Sequence, residues 1–201
     1  YGFQNENQKK IIIKGFLEAI KYLHNKGITH GDIKPENILL DANFNPKLTD
    51  FGLSKTKIIS GNESKSGTLY YAAPELLTKG QYNSLKTDIW SIGILIYCLS
   101  EKKFPFLGGN NDFIINQIKK RRFSFDPNIS DSLKKVVQRC TQLDPDKRPT
   151  IDELINDDYF IGYDKVNDYL IQDNIDFFSI EDSQSSNKYG LDQGYKFPIL
   201  V

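Results

Sequence analysis

Residues 84–100 constrain the fold of this chain more than any other stretch. After Asp88 the run carries Ile89, Trp90, Ile92, Ile94, Leu95 and Ile96, so it is apolar almost all the way round at helical spacing. A helix without a polar face cannot lie on a surface. It has to be wrapped by other elements, which predicts a buried central helix. Its most apolar part, residues 89–99, is too short to span a bilayer, which takes about 20 residues. Gly93 weakens the helix and therefore marks close packing. Asp88, in the first turn, reads as either a cap or a buried anchor for nearby backbone.

Several segments are available to wrap it. Residues 8–26 place Ile12, Phe16, Ile20 and Leu23 at helical spacing, with Lys26 in the last turn and Gly27 as the stop. His24, on that helix, reads as a packing or capping residue. Residues 112–121 predict a short amphipathic helix through Phe113, Ile114 and Ile118, and Leu133, Val136, Val137 and Cys140 predict another. Thr150-Ile151-Asp152-Glu153 is a capping-box signature that opens a third, with Leu154 and Ile155 inward. Residues 53–68 lack periodicity and interleave Ser54, Thr56, Ser60, Ser64 and Ser66 with lysines, which predicts a long functional loop. Helices outnumber strands, so the expected class is mainly α: a helical bundle with one short β-hairpin.

Charge narrows the partners. The 26 basic and 26 acidic residues balance, whereas nucleic acid or an anionic membrane usually demands a basic excess. Residues 161–201 hold three Lys and seven Asp or Glu, leaving 23 basic and 19 acidic residues in 1–160. The expected division is a body over 1–160 and an acidic C-terminal tail over 161–201, polar enough at 183–188 to be partly disordered. Cys98 and Cys140 form no CxxC pair and sit in apolar stretches, so they read as buried thiols in a reducing, cytoplasmic setting. Methionine is missing throughout, even at position 1, and the chain reads as a fragment.

The chemistry concentrates in residues 28–50, ITHGDIKPENILLDANFNPKLTD, closed at once by Phe51 and Gly52. Ile38-Leu39-Leu40 and the turn-rich Asp41–Asn45 segment predict short strands folding back as a hairpin. That hairpin would bring Asp32, Asn37 and Asp50 near one another. Carboxylates and an amide beside a lysine supply what phosphoryl transfer needs: oxygen ligands for magnesium, a base, and a cation for phosphate.

The order of motifs sharpens this reading. His30-x-Asp32-Ile33-x-x-x-Asn37 is followed by Asp50-Phe51-Gly52, Gly67-Thr68, Ala73-Pro74-Glu75, Asp88-x-Trp90-x-x-Gly93, Asp144-Pro145 and Arg148-Pro149-Thr150. This set resembles the signature of the eukaryotic protein kinases, and residues 8 to about 160 resemble their helical C-terminal lobe. The resemblance implies a protein-kinase-like C-lobe whose hairpin carries the catalytic loop. It implies ATP and Mg2+ as cofactors and a protein with a Ser or Thr acceptor as partner, with no nucleic acid, no membrane and the oligomeric state open. Lys34-Pro35-Glu36-Asn37 is the serine/threonine form of the loop. Asp50-Phe51-Gly52-Leu53-Ser54-Lys55 and the Arg148 region resemble the calcium/calmodulin-dependent group.

Carried over residue by residue, the resemblance makes Asp32 the base that accepts the substrate hydroxyl proton and Lys34 the cation that steadies the phosphoryl group. Asn37 and Asp50 would hold magnesium, and Lys34, Glu36, Asn37 and Asp50 would line the cofactor side. Thr68 would bridge base and lysine, and Glu36 can pair with a basic residue before the target hydroxyl. Glu75 with Arg148 resembles a buried ion pair, Asp88 an anchor for the catalytic-loop backbone, and His30 its packing partner.

Two departures stand out. The arginine usual between His30 and Asp32 is Gly31, which removes the receiver for a phosphate on the activation loop, so switching through Ser60, Ser64 or Ser66 is not expected. No glycine-rich loop or strand lysine precedes the helix at residue 8, so the β-rich N-terminal lobe is absent from the chain as it stands, and ATP would be held from one side. The alternative is a lobe-less pseudokinase acting as a protein-binding scaffold. A scaffold has no chemical need for Asp32, Lys34, Asn37 and Asp50 together.

Overall fold

The computed structural model describes residues 6–41, 44–56, 58–60, 69–77, 81–106 and 110–162. Its axis is α2 (Ser84–Glu101), with every residue from Ile92 to Cys98 buried and Trp90 wholly enclosed. The Asn83 side chain accepts the Leu85 N–H at 3.1 Å to cap its start, and Lys102 ends it in a left-handed conformation, φ 55°. Asp88 is therefore not the cap. It is 1% exposed and serves as an anchor.

Among the described residues four further helices share its hydrophobic core. α1 (Glu6–Asn25) turns Ile13, Phe16, Leu17 and Ile20 inward, and Gly27, at φ 69°, takes the left-handed turn that ends the segment. α3 (Asn111–Lys120) contributes Ile114 and Ile118, and α4 (Asp131–Cys140) contributes Leu133, Val136, Val137 and Cys140. α5 (Ile151–Ile155) starts at the predicted capping box: Thr150 Oγ1 accepts the Glu153 N–H at 3.2 Å, and Glu153 Oε2 accepts the Thr150 N–H at 2.7 Å. α2 packs on α4, and α1 on α5. Gly93 is where α2 meets the end of α4: a Cβ there would lie 2.7 Å from Cys140 Cβ and 2.8 Å from Thr141 Cγ2.

Strands are short and come in three antiparallel pairs among the described residues. β1 (Ile28–Thr29) pairs with β4 (Lys55–Thr56), β2 (Ile38–Leu40) with β3 (Pro46–Leu48), and β5 (Ile58–Ser60) with β6 (Gln81–Asn83). The β2–β3 register sets Ile38 opposite Leu48 and Leu40 opposite Pro46. Residues 53–68, read from sequence as a loop, thus contain β4 and β5. Strands of two and three residues are too short to show an alternation, and their partners lie far away in the chain. Thr68, Ser64, Ser66 and the tail beyond residue 162 lie outside the described residues. Among the described residues no helix is long and apolar enough to cross a membrane.

Candidate active site

The site begins where β1 runs out over the start of α2. Thr29 Oγ1 donates to Ser84 Oγ at 2.5 Å, and both groups are buried. The next two backbone N–H groups go to Asp88: His30 N to Oδ2 at 2.8 Å and Gly31 N to Oδ1 at 3.0 Å. His24 Nε2 reaches the same Oδ2 at 2.9 Å from the end of α1. One carboxylate of the central helix therefore fixes the entry of the loop, and His24 is its partner.

His30 is fully buried with both ring nitrogens engaged. Nε2 lies 3.1 Å from the Thr49 carbonyl, and Nδ1 accepts the Asp32 N–H at 3.3 Å. This pattern requires the neutral tautomer with the proton on Nε2. The ring thus joins the backbone of Asp32 to the residue before Asp50. A second link runs in parallel, since the Thr49 N–H donates to the Asn37 carbonyl at 2.9 Å.

Between these ties lie the charged groups. Lys34 Nζ is 2.7 Å from Asp32 Oδ2. Pro35–Asn37 form one 3-10 turn, which brings Asn37 back so that its Nδ2 donates to the Asp32 carbonyl at 2.8 Å and to Oδ2 at 3.0 Å. Asp32 and Asn37 are buried and Lys34 partly so. A carboxylate whose Oδ2 is held by both an ammonium and an amide has a fixed orientation, which suits a proton acceptor. Asp50 follows at φ 58°, rare for a residue other than glycine, with its carboxylate exposed and Oδ1 accepting the Gly52 N–H at 3.3 Å. Phe51 is half-exposed, and its ring centroid is 5.2 Å from that of His30.

The structure therefore brings Asp32, Lys34 and Asn37 into contact, and ties the Asp50 segment to them through backbone rather than through its side chain. Glu36 has one buried oxygen, Oε2, with no hydrogen-bond partner among the described residues. Thr68 lies outside the described residues. Sequence reasoning passed over the Thr49 backbone and the His24–Asp88 pair. Neither carries a spacing signal, because each is a contact between distant segments.

The donor set fits a magnesium ion. Both Asn37 amide hydrogens face Asp32, which leaves its oxygen, and the Asp50 carboxylate is exposed, so the available ligands are hard oxygens. Among the described residues no group of three or more His, Cys, Asp or Glu side chains could hold a metal ion by itself. A site of two protein oxygens, completed by water and phosphate, is the arrangement magnesium commonly takes.

Below the site, Arg148 closes on Glu75 with NH1 to Oε1 at 2.6 Å and NH2 to Oε2 at 2.7 Å. Its guanidinium also donates to the Gln142 and Lys86 carbonyls and lies 5.1 Å from the centre of the Trp90 ring.

A helical body with this loop, this anchor and this ion pair defines a protein kinase domain. The protein kinase domain family matches residues 2–160, and the chain belongs to that family. It is 43% identical over 150 residues to 3-phosphoinositide-dependent protein kinase B of Dictyostelium discoideum, covering 72% of this chain and 16% of that protein. It is 38% identical over 185 residues to the probable serine/threonine-protein kinase fhkE of the same organism, covering 85% and 26%. With serine/threonine-protein kinase 33 of Mus musculus it shares 36% identity over 178 residues, covering 80% and 36%. The chain thus spans well under half the length of each of these relatives.

Proposed function

We propose that this chain carries the catalytic floor of a serine/threonine protein kinase, the C-terminal lobe of the domain, that the full-length protein transfers the ATP γ-phosphoryl group to protein Ser or Thr hydroxyls, and that the chain by itself is a poor catalyst without the opposing lobe. The observation that carries this reading is the Asp32 carboxylate, held 2.7 Å from Lys34 Nζ and 3.0 Å from Asn37 Nδ2 on a loop bonded to buried Asp88. The Ser/Thr assignment is supported by the loop sequence Lys34-Pro35-Glu36-Asn37 and by the names of the relatives. The body runs to residue 160, and residues 161–201 form an acidic tail.

In this mechanism Asp32 takes the proton of the acceptor hydroxyl as the oxygen attacks, and Lys34 offsets charge on the transferring group. Asn37 and Asp50 would hold magnesium, which when bound neutralises phosphate charge. His30 keeps Asp32 and the Asp50 segment in a fixed relation. The Glu36 oxygen, without a hydrogen-bond partner among the described residues, favours a basic side chain on the substrate, upstream of the acceptor.

The test is phosphotransfer by the full-length gene product with ATP and Mg2+. Asp32→Asn should lower the rate by roughly 10²–10⁴, the range for a positioned base. A full-length protein without phosphotransfer, or a variant within twofold of the parent, overturns the proposal. A peptide array without enrichment for Arg or Lys upstream of the acceptor removes the assignment to Glu36 alone.

A further inference from the structure

Gly31 is more than a missing arginine. Its backbone sits at φ 83°, in the left-handed region, and the Leu53 backbone stands against the side on which a side chain would begin. A Cβ at this position would lie 2.7 Å from the Leu53 carbonyl oxygen and 3.4 Å from the carbonyl carbon. That obstacle is backbone, and it is held in place. The Ser54 N–H donates to the Phe51 carbonyl at 3.0 Å, closing a turn around Leu53. Ser54 Oγ donates to the His30 carbonyl at 3.3 Å. Immediately beyond, β4 pairs with β1, with Lys55 opposite Thr29 and Thr56 opposite Ile28.

Gly31 cannot retreat on its other side either. Its N–H is bonded to Asp88 Oδ1, and Asp88 is itself held by His24 and by the His30 N–H. The residue before the base is therefore clamped between the central helix and the strand that follows Asp50-Phe51-Gly52.

We propose that Gly31 is a positioning residue for Asp32: its bare α-carbon lets the Leu53 carbonyl close over it, and this backbone seam holds the base in place without a phosphorylated partner. An arginine at position 31 would have to place its own Cβ 2.7 Å from the Leu53 oxygen, closer than a Cβ can stand. Restoring it would open the seam rather than add a switch. This proposal rests on the kinase reading for its catalytic half, and on geometry alone for the seam.

The experiment uses the full-length protein with Gly31→Ala, Gly31→Asn, Gly31→Arg, Ser54→Ala and the Gly31→Ala/Ser54→Ala double variant. A misplaced catalytic group costs rate steeply, about a hundredfold for a displacement near 1 Å. Gly31→Ala and Gly31→Asn should each lower kcat by about tenfold or more, with KM for the peptide within about twofold. Asparagine tolerates positive φ, so its failure to rescue would place the obstacle at the Leu53 oxygen. Ser54→Ala loosens the seam from the opposite side, so the double variant should lose less than the product of the two single losses. Phosphatase treatment should leave both the parent and Gly31→Arg unchanged within about twofold.

Two results overturn the proposal: Gly31→Ala with the kcat of the parent, or Gly31→Arg that keeps its kcat and loses it on phosphatase treatment. Should the parent transfer no phosphate, the kinase reading falls, and amide exchange decides the seam. Faster exchange at Asp32 and Ser54 in Gly31→Ala supports it, and unchanged exchange overturns it.

Discussion

Arg148 and Glu75, 73 residues apart in sequence, meet through two parallel bonds of 2.6 and 2.7 Å with the guanidinium fully buried. This pair ties the segment around Glu75 to α2 and to the chain just past α4, because the same guanidinium also bonds the Lys86 and Gln142 carbonyls. Removing either partner leaves a charge inside the protein.

Glu75→Gln should therefore cost roughly 3–5 kcal/mol, the range for breaking a buried ion pair from one side. Arg148→Lys should cost a similar amount, because a single ammonium cannot reproduce the fork. Urea unfolding of each variant measures this. A loss below about 1 kcal/mol in both would mean that the pair is only a surface-grade contact.

Gly93→Ala adds one methyl group where α2 meets the end of α4. With contacts of 2.7 Å to Cys140 Cβ and 2.8 Å to Thr141 Cγ2, the two helices must part. Alanine is the better helix former by about 1 kcal/mol, so propensity alone predicts stabilisation. Overpacking of roughly 1–3 kcal/mol should prevail over it. Thermal unfolding decides the sign, and a higher Tm for the variant would show that the interface yields freely.

How much of this was legible in the sequence divides along one physical line. Side-chain patterns report burial, so Ile89 to Ile96 announced the central helix, and Thr150 with Glu153 announced a cap that the structure reproduces atom for atom. Motif order placed Asp32, Lys34 and Asn37, which are near neighbours in the chain and need only one tight turn to meet. Unless a motif resemblance carries them, as it did for Glu75 with Arg148, contacts between distant segments leave no local trace. The His24–Asp88 pair, the bond from His30 to the Thr49 carbonyl and the approach of Leu53 to Gly31 are all of that kind. The two-residue strand β4 was hidden for the same reason, since its pairing depends on β1 rather than on its own composition.

Cys98 and Cys140 are both free and buried, and burial pushes each thiol up to about 12. An unfolded thiol ionises near 9. The folded state is thus favoured in full below pH 9, and this contribution is lost as the pH rises from 9 towards 12. At pH 8 a thiol reagent should label neither cysteine in the native protein and both after denaturation, because only the thiolate reacts. Labelling of either one in the folded state at the rate of free cysteine would contradict the burial.

Asp88→Asn tests whether the loop entry needs a carboxylate or only a side chain of that shape. Oδ2 receives His30 N and His24 Nε2, and Oδ1 receives Gly31 N. An asparagine has one oxygen. With its amide nitrogen at the Oδ1 position, the Gly31 N–H faces another donor; with the nitrogen at the Oδ2 position, the His30 N–H does. Either orientation leaves one buried backbone donor without an acceptor, at a cost of about 1–3 kcal/mol. The loop should then exchange its His30 or Gly31 amide faster than the parent does, while amides in the middle of α4 stay protected. Because those two residues lead directly into Asp32, kcat should fall by about tenfold or more. Hydrogen exchange separates this from general destabilisation. A uniform loss of protection across α4 and the loop alike would show that Asp88 holds up the whole fold rather than the entry to the site.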